Sequence, residues 1–354
     1  MRIMLALVAS KGWEIHHLDV KSAFLHGKLQ EDVYVEQPEG FVKVGCKRMA
    51  VYRHIIGDEL IVIGVYVDDL IVTSSSVDII KRFKAAMSTK FEMSDLGILR
   101  YYLGIEVYQS MRGVIVTQEA YAKKVLKDPG MSNCNPTLIP MDCNKKFTKA
   151  QDEKEVDATE YRSLVGRLRY LLQTRPDLGL SVGIVIRYMQ TPKLSIMAAV
   201  QQILRYMKGT IGYGIFYPHE NHGKLIGYSD SSHNADEDDG RSTTGHVFYL
   251  GKSPITWCSQ KQDTVGLSSC EAEYMAASVA SCQAVWLKDL IEEVFGTTQL
   301  DENSEVMNLL EKQYSSMSFG REVVSSSKDP TRMLTCSSSF VLLSGHGERI
   351  YKAR

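Results

Sequence analysis

Ile61-Val62-Ile63-Gly64-Val65-Tyr66-Val67-Asp68-Asp69-Leu70-Ile71-Val72-Thr73 is the stretch whose reading decides the fold. Val, Ile, Tyr and Thr suit a pleated, half-buried surface, so the apolar runs predict two strands. The acidic pair falls between them, where a hairpin must turn. Two adjacent ionised carboxylates repel unless a cation offsets them. A hard divalent ion with oxygen ligands does so, and Mg²⁺ binds through one or two carboxylates plus substrate phosphates. The plain alternative is a surface turn that carries two acids.

Working outward, 354 residues suffice for two or three domains with cores of their own. A net charge of −1 gives no global pull toward nucleic acid, so any such binding needs local patches. No run is apolar enough to cross a bilayer. The short apolar N-terminus, with one Arg2 and no clear cleavage site, reads as a helix rather than a signal sequence. The 7 Cys are scattered without a C-x-x-C pair, which indicates neither a disulfide framework nor a zinc site.

Upstream, Glu14 to Val20 reads as a strand that delivers Asp19 at its end. His16 and His17 are neighbours and point to opposite faces, so joint ligation is not expected and both read as ordinary polar residues. Leu18-Asp19-Val20-Lys21-Ser22-Ala23-Phe24-Leu25-His26-Gly27, followed by Glu31-Asp32-Val33-Tyr34-Val35-Glu36-Gln37-Pro38, resembles the first palm motif of copia-type retrotransposon reverse transcriptases. Tyr66-Val67-Asp68-Asp69 resembles the palm hairpin of the same family. The resemblance implies that Asp19, Asp68 and Asp69 are catalytic metal ligands. It implies two-metal phosphoryl transfer with Mg²⁺ or Mn²⁺ as cofactor. It makes Phe24 the sugar gate and, with Tyr66, part of the substrate-binding set. The partners it implies are an RNA template, a DNA primer, RNA–DNA hybrid and deoxynucleoside triphosphates, with no membrane. The implied location is cytoplasmic, in virus-like particles with access to the nucleus, and not secreted.

One departure stands out. Only 49 positions separate Asp19 from Asp68, where family members carry a longer insert that includes a nucleotide-supporting helix. Most of the fingers are also missing. Downstream, Ser74–Ser76 can cap a helix with Val77, Ile80, Phe83, Met87 and Phe91 as its core positions. Strands follow over Asp95–Val107 and Gly113–Gln118, then a helix over Glu119–Lys127 and a linker to residue 157. Three helices are expected from Ala158, from about Leu178 to Met189, and around Ile196–Met207. Arg162, Arg167, Arg169, Arg205 and Lys208 either line a phosphate track or form a solvated face.

A second constellation closes the chain. Strand-like runs lead to Asp230 at a strand end, and a long helix begins near Ser269. Ser268 and Glu271 fit a capping box, Glu271 reaching back to the Ser268 amide. That leaves Glu273 free to face Asp230. Tyr228-Ser229-Asp230, Trp257-Cys258-Ser259-Gln260-Lys261-Gln262 and Leu267-Ser268-Ser269-Cys270-Glu271-Ala272-Glu273-Tyr274 resemble the copia-type RNase H domain, which implies Asp230 and Glu273 as metal ligands and catalytic residues. Asp236-Glu237-Asp238-Asp239 reads as a solvated loop. Nothing after Leu300 matches the family's remaining ligands.

The expected fold class is α+β and α/β: a partial polymerase palm, a helical connection, then an RNase H-like mixed sheet with helices. The expected domains are 1–127 (partial palm), 128–210 (linker and connection), 211–297 (partial RNase H-like domain) and 298–354 (an unrelated, disordered tail). The expected function is that of a retrotransposon-derived RNA-directed DNA polymerase with RNase H, impaired in this copy. The alternative is a decayed, non-catalytic remnant that at most binds nucleic acid. An unrelated palm-type cyclase or phosphotransferase leaves the RNase H half unexplained.

Overall fold

The computed structural model describes residues 1–21, 50–142, 145, 147–149, 152–219, 224–296 and 350–352. Phe24 and most of the segment 298–354 lie outside them.

Helix α1 (Arg2–Lys11) is apolar around its circumference, and Met4 to Ser10 are all buried. Gly12 ends it with φ 65, its amide bonding to Ala9 O while the Trp13 amide reaches Val8 O. That pair of bonds needs a left-handed residue, which glycine adopts without a Cβ penalty. Strand β1 (Ile15–Val20) follows, then β2 (Ala50–Ile56), β3 (Glu59–Tyr66) and β4 (Asp69–Ser74). After helix α2 (Val77–Ser88) comes β5 (Met93–Ile98). These strands form one antiparallel sheet in the order β2-β3-β4-β1-β5.

Alternation sorts this sheet's side chains onto two faces. Leu18, Leu70 and Val72 face α2, where Ile79 and Ile80 complete a small core with Phe83 and Met87 against it. Two residues expected in that core are not there. Val77 is at the helix start and exposed, and Phe91 lies beyond the helix end at Ser88 and is also exposed. Ser76 occupies the N-cap without a side-chain bond to the helix. Ile15 and Ile71 face the other way, into the largest core.

The second sheet holds β6 (Tyr101–Tyr102), β7 (Ile105–Ser110), β8 (Gly113–Thr117) and, after the helices, β9 (Tyr213–Pro218). Helix α3 (Glu119–Lys127) sits where the sequence places it, and its first turn is satisfied from outside: Glu106 Oε1 accepts the Ala120 amide at 2.8 Å. Helices α4 (Ala158–Leu171), α5 (Gly179–Val185, extended by a 3₁₀ turn to Tyr188) and α6 (Leu194–Gly209) pack with α3 into a separate core.

The third sheet is β10 (Leu225–Ser232), β11 (Thr243–Leu250) and β12 (Ser253–Lys261), with helix α7 (Ser269–Phe295) laid across β10 and β11. β9 opens the segment 211–297 yet bonds to β8 of the second sheet, with Thr117 opposite Gly214. Its apolar alternation announced a strand but carried no information about which neighbour it would take. Residues Ile350–Lys352, within the segment expected as a disordered tail, form β13 on the far side of β9. Among the described residues every strand pairing is antiparallel, so the expected mixed sheet does not appear there.

One buried ion pair fixes the helical connection. Arg175 is 2% exposed, and its guanidinium grips Asp177 through Nε and Nη2. Nη1 and Nη2 also donate to Thr210 O (2.9 Å) and Thr210 Oγ1 (2.7 Å), while the Tyr206 hydroxyl donates to Asp177 Oδ2 (3.0 Å). Four of the five guanidinium N–H groups therefore find their acceptors inside the protein. Removing one member strands the other without solvent. Arg175→Ala is expected to cost roughly 3–5 kcal/mol in urea unfolding. A cost below about 1 kcal/mol, the size of a surface pair, would contradict this account.

Candidate active site

The first candidate site lies on the inner face of the first sheet, at the ends of β1 and β4. β1 and β4 are neighbours, and Asp19 stands directly opposite Asp69. Directly opposed residues send their side chains from the same face, with Cβ atoms about 5 Å apart. Tyr66 is paired with Asp69 across β3 and β4, so it shares that face. Asp68 lies in the two-residue turn and is exposed; its carbonyl accepts the Val20 amide at 2.9 Å. Val67, the other turn residue, has φ 60. A β-branched side chain is strained in that region, and such strain persists only where surrounding structure enforces it.

His17 lies two residues before Asp19 and so on the same face. Its Nε2–H donates to Asp69 Oδ1 at 2.8 Å. Its ring meets Tyr102 edge-on, with centroids 5.7 Å apart. Tyr102 is buried, and its hydroxyl has no hydrogen-bond partner among the described residues. Burial, then the nearby Asp69 charge, pushes the Tyr102 phenol well above its ordinary value. The opposite facing of His16 and His17 holds: His16 turns to the α2 side, to Glu14 and Lys84. The reading of His17 as an ordinary polar residue does not. Its place on Asp19's face followed from the strand period, but its partner is 52 residues away.

The second site joins β10 to the first turn of α7. Ser268 Oγ accepts the Glu271 amide at 3.1 Å, and Glu271 Oε2 reaches back to the amide of Leu267 at 2.6 Å. The expected acceptor relationship thus falls one residue earlier, on Leu267 rather than Ser268. Glu273 stays free of the cap. Its Oε1 accepts the Ser231 amide at 3.2 Å, next to Asp230. Burial, and then the charge of Asp230, raises the Glu273 carboxyl above the usual carboxylate range. Gln262 clamps the junction: its buried amide donates to Ser231 Oγ, Thr244 Oγ1 and Ala272 O. Sequence reading missed Gln262, because nothing local distinguishes it from Gln260.

Two other expectations change. Asp236 is buried rather than solvated, held by Lys261 at 2.6 Å and Arg187 at 3.8 Å. Asp238 accepts Thr148 Oγ1 and the Lys149 amide. These partners come from distant elements, so the acidic run gave no sign of them. Of the basic residues considered for a phosphate track, Arg162 donates to Ala158 O, Arg205 to Asn135 O and Arg167 to Asp128. Those three face protein acceptors.

As donors, Asp19, Asp69, Asp230 and Glu273 offer hard oxygens in close pairs, which suits Mg²⁺ or Mn²⁺. Among the described residues, however, no group of three or more His, Cys, Asp or Glu converges as a metal cage. The pairs fit a divalent ion; among the described residues they are not joined by a third carboxylate. Among the described residues no helix is long and apolar enough to cross a membrane.

Comparison with known proteins bears on this geometry. Residues 1–53 and 45–143 match the model of the family described as reverse transcriptase (RNA-dependent DNA polymerase). An uncharacterized mitochondrial protein of Arabidopsis thaliana is 35% identical over 223 residues, which cover 62% of this chain and 92% of that protein. The Retrovirus-related Pol polyprotein from transposon RE2 of Arabidopsis thaliana is 34% identical over 332 residues, 83% of this chain. The corresponding polyprotein from transposon TNT 1-94 of Nicotiana tabacum is 31% identical over 342 residues, also 83% of this chain. This chain belongs to the reverse transcriptase family of copia-type retrotransposon Pol polyproteins. It spans about a quarter of those polyproteins, 23% of RE2 and 26% of TNT 1-94.

The raised Glu273 carboxyl has a consequence for stability in metal-free buffer. Its folded value lies above its unfolded value of 4.5, so the group contributes its stability at acidic pH and loses it as pH rises through the folded value. Glu273→Gln keeps an acceptor for Ser231 and removes the repulsion from Asp230. The variant is expected to melt higher than wild type at pH 7, with the difference vanishing near pH 4. Equal melting temperatures across that range would contradict the assigned cause.

Proposed function

We propose that this chain carries the palm of an RNA-directed DNA polymerase and an RNase H-like half, in a copy whose activity is impaired. The observation that carries the reading is the register that sets Asp19 opposite Asp69 beside the Tyr66–Asp69 hairpin. Two divalent ions, Mg²⁺ or Mn²⁺, would supply charge neutralisation and an activated primer hydroxyl at these carboxylates. The chain's own tasks are positional. Asp19 and Asp69 present oxygens from one rigid face, the hairpin advances Asp68, and Tyr66 lies beside them where a templated nucleotide would stack. Phe24, outside the described residues, would sort deoxyribonucleotides from ribonucleotides. Asp230 and Glu273 would serve cleavage of the RNA strand in an RNA–DNA hybrid. The partners are accordingly template, primer, hybrid and deoxynucleoside triphosphates, in cytoplasmic particles.

A second reading, a non-catalytic remnant, is favoured by a separate observation. No third carboxylate converges on either pair among the described residues. The two-piece family match, which meets near residues 45–53, agrees with a palm shortened between Asp19 and Asp68.

Primer extension on an RNA template with a DNA primer, in Mg²⁺ and in Mn²⁺, separates the two. Under the first reading wild type extends slowly and Asp68→Asn loses at least about a hundred-fold, as removal of a group acting in the transition state does. Soluble, cooperatively melting protein with no extension in either metal would establish the remnant.

A further inference from the structure

The contact between His17 and Asp69 is the feature of the palm face that the proposed chemistry does not use. Asp19 and Asp69 are opposed like charges, an arrangement that destabilises a strand pair unless something positive or hydrogen-donating faces it. In this structure the Nε2–H of His17 does so, at 2.8 Å from Asp69 Oδ1. The contact is built into the fold. The His17 side chain is 12% exposed, comes from a central strand, and is braced edge-on by the buried ring of Tyr102. Among the described residues Asp19, Asp68 and Asp69 do not form a three-residue metal-holding group. A cation that takes Asp69 Oδ1 shares that oxygen with the His17 donor, and the hydrogen bond draws on the same negative charge that the cation needs.

We propose that His17 is a latch on Asp69, a positioning residue that competes with the divalent cation and lowers the affinity of the palm face for it. The inference rests on the reading of Asp19 and Asp69 as cation ligands. His17 then sets how much free metal is needed before the carboxylates gather.

The test is Mn²⁺ binding to the full chain, followed by the electron paramagnetic resonance signal of free Mn²⁺ and by calorimetry. Wild type is compared with His17→Phe, His17→Gln and Asp69→Asn. His17→Phe keeps the ring edge against Tyr102 and removes the donor. It is expected to bind Mn²⁺ roughly ten-fold tighter, the scale of one lost hydrogen bond to a charged acceptor. His17→Gln keeps a donor of similar reach and stays near wild type. Asp69→Asn loses the site. Where His17→Phe does not melt cooperatively, His17→Asn, too short to reach Asp69, is held to the same expectation. Asp69-dependent binding that is unchanged or weaker without the His17 donor overturns the latch alone and makes His17 a support for the ligand. Absence of any Asp69-dependent binding in wild type and variants alike overturns both the latch and the metal reading beneath it.

Discussion

Everything at the Asp19–Asp69 face depends on one strand register. Because side chains alternate with a period of two, a slip of one residue between β1 and β4 would send Asp19 to the α2 side and leave Asp69 alone. The register is held from three directions. The short turn at Val67–Asp68 fixes β3 against β4. Leu18, Leu70 and Val72 must face Ile79 and Ile80, which forbids the slipped pairing by burial. On the far side, the Gln109 amide pairs with both backbone groups of Ile15, accepting its N–H at 3.0 Å and donating to its carbonyl at 3.1 Å. A side chain from β7 thus acts as one more residue of ladder where β1 departs from β5.

Such constraint explains how a β-branched residue can hold φ 60 at the hairpin tip. Left to itself Val67 would relax toward the extended region, at a gain of about 1–2 kcal/mol. The strands on both sides outweigh that gain. Their alignment presents Asp68 forward and Asp69 sideways from one turn, so two adjacent carboxylates serve different directions.

Legibility from sequence followed the range of the interactions. The hairpin, α3, the helices of the connection and the long capped helix α7 are written in local periods and end signals, and these appear within a few residues of expectation. The pairing of Asp230 with Glu273 was legible because the cap consumed Glu271 and left one carboxylate over. What failed was set by distant partners. β9 had to choose between β8 and β10, Asp236 found Lys261 and Arg187, and His17 found Asp69. In each case residue type and spacing allowed several outcomes, and only tertiary packing selected one.

The two candidate sites are also mechanically connected, and the connection is apolar. One core cluster takes Ile15, Val62 and Ile71 from the first sheet, Val107, Val116 and Ile215 from the second sheet, and Phe248, Leu250, Ala284 and Leu287 from the third sheet and α7. Helix α1 fills its middle, touching β8, β9 and β12. From the other end, Arg53 on β2 donates to Glu293 O at 2.8 Å, a cation at the carbonyl terminus of α7, where the helix dipole favours it. Two candidate sites whose sheets share a core cannot loosen independently, since a cavity opened under one removes contacts from the other. The inner face of the first sheet thus folds against the third sheet and α7 as well as against its own strands. That supplies a physical reason for the Asp19–Asp69 register to persist.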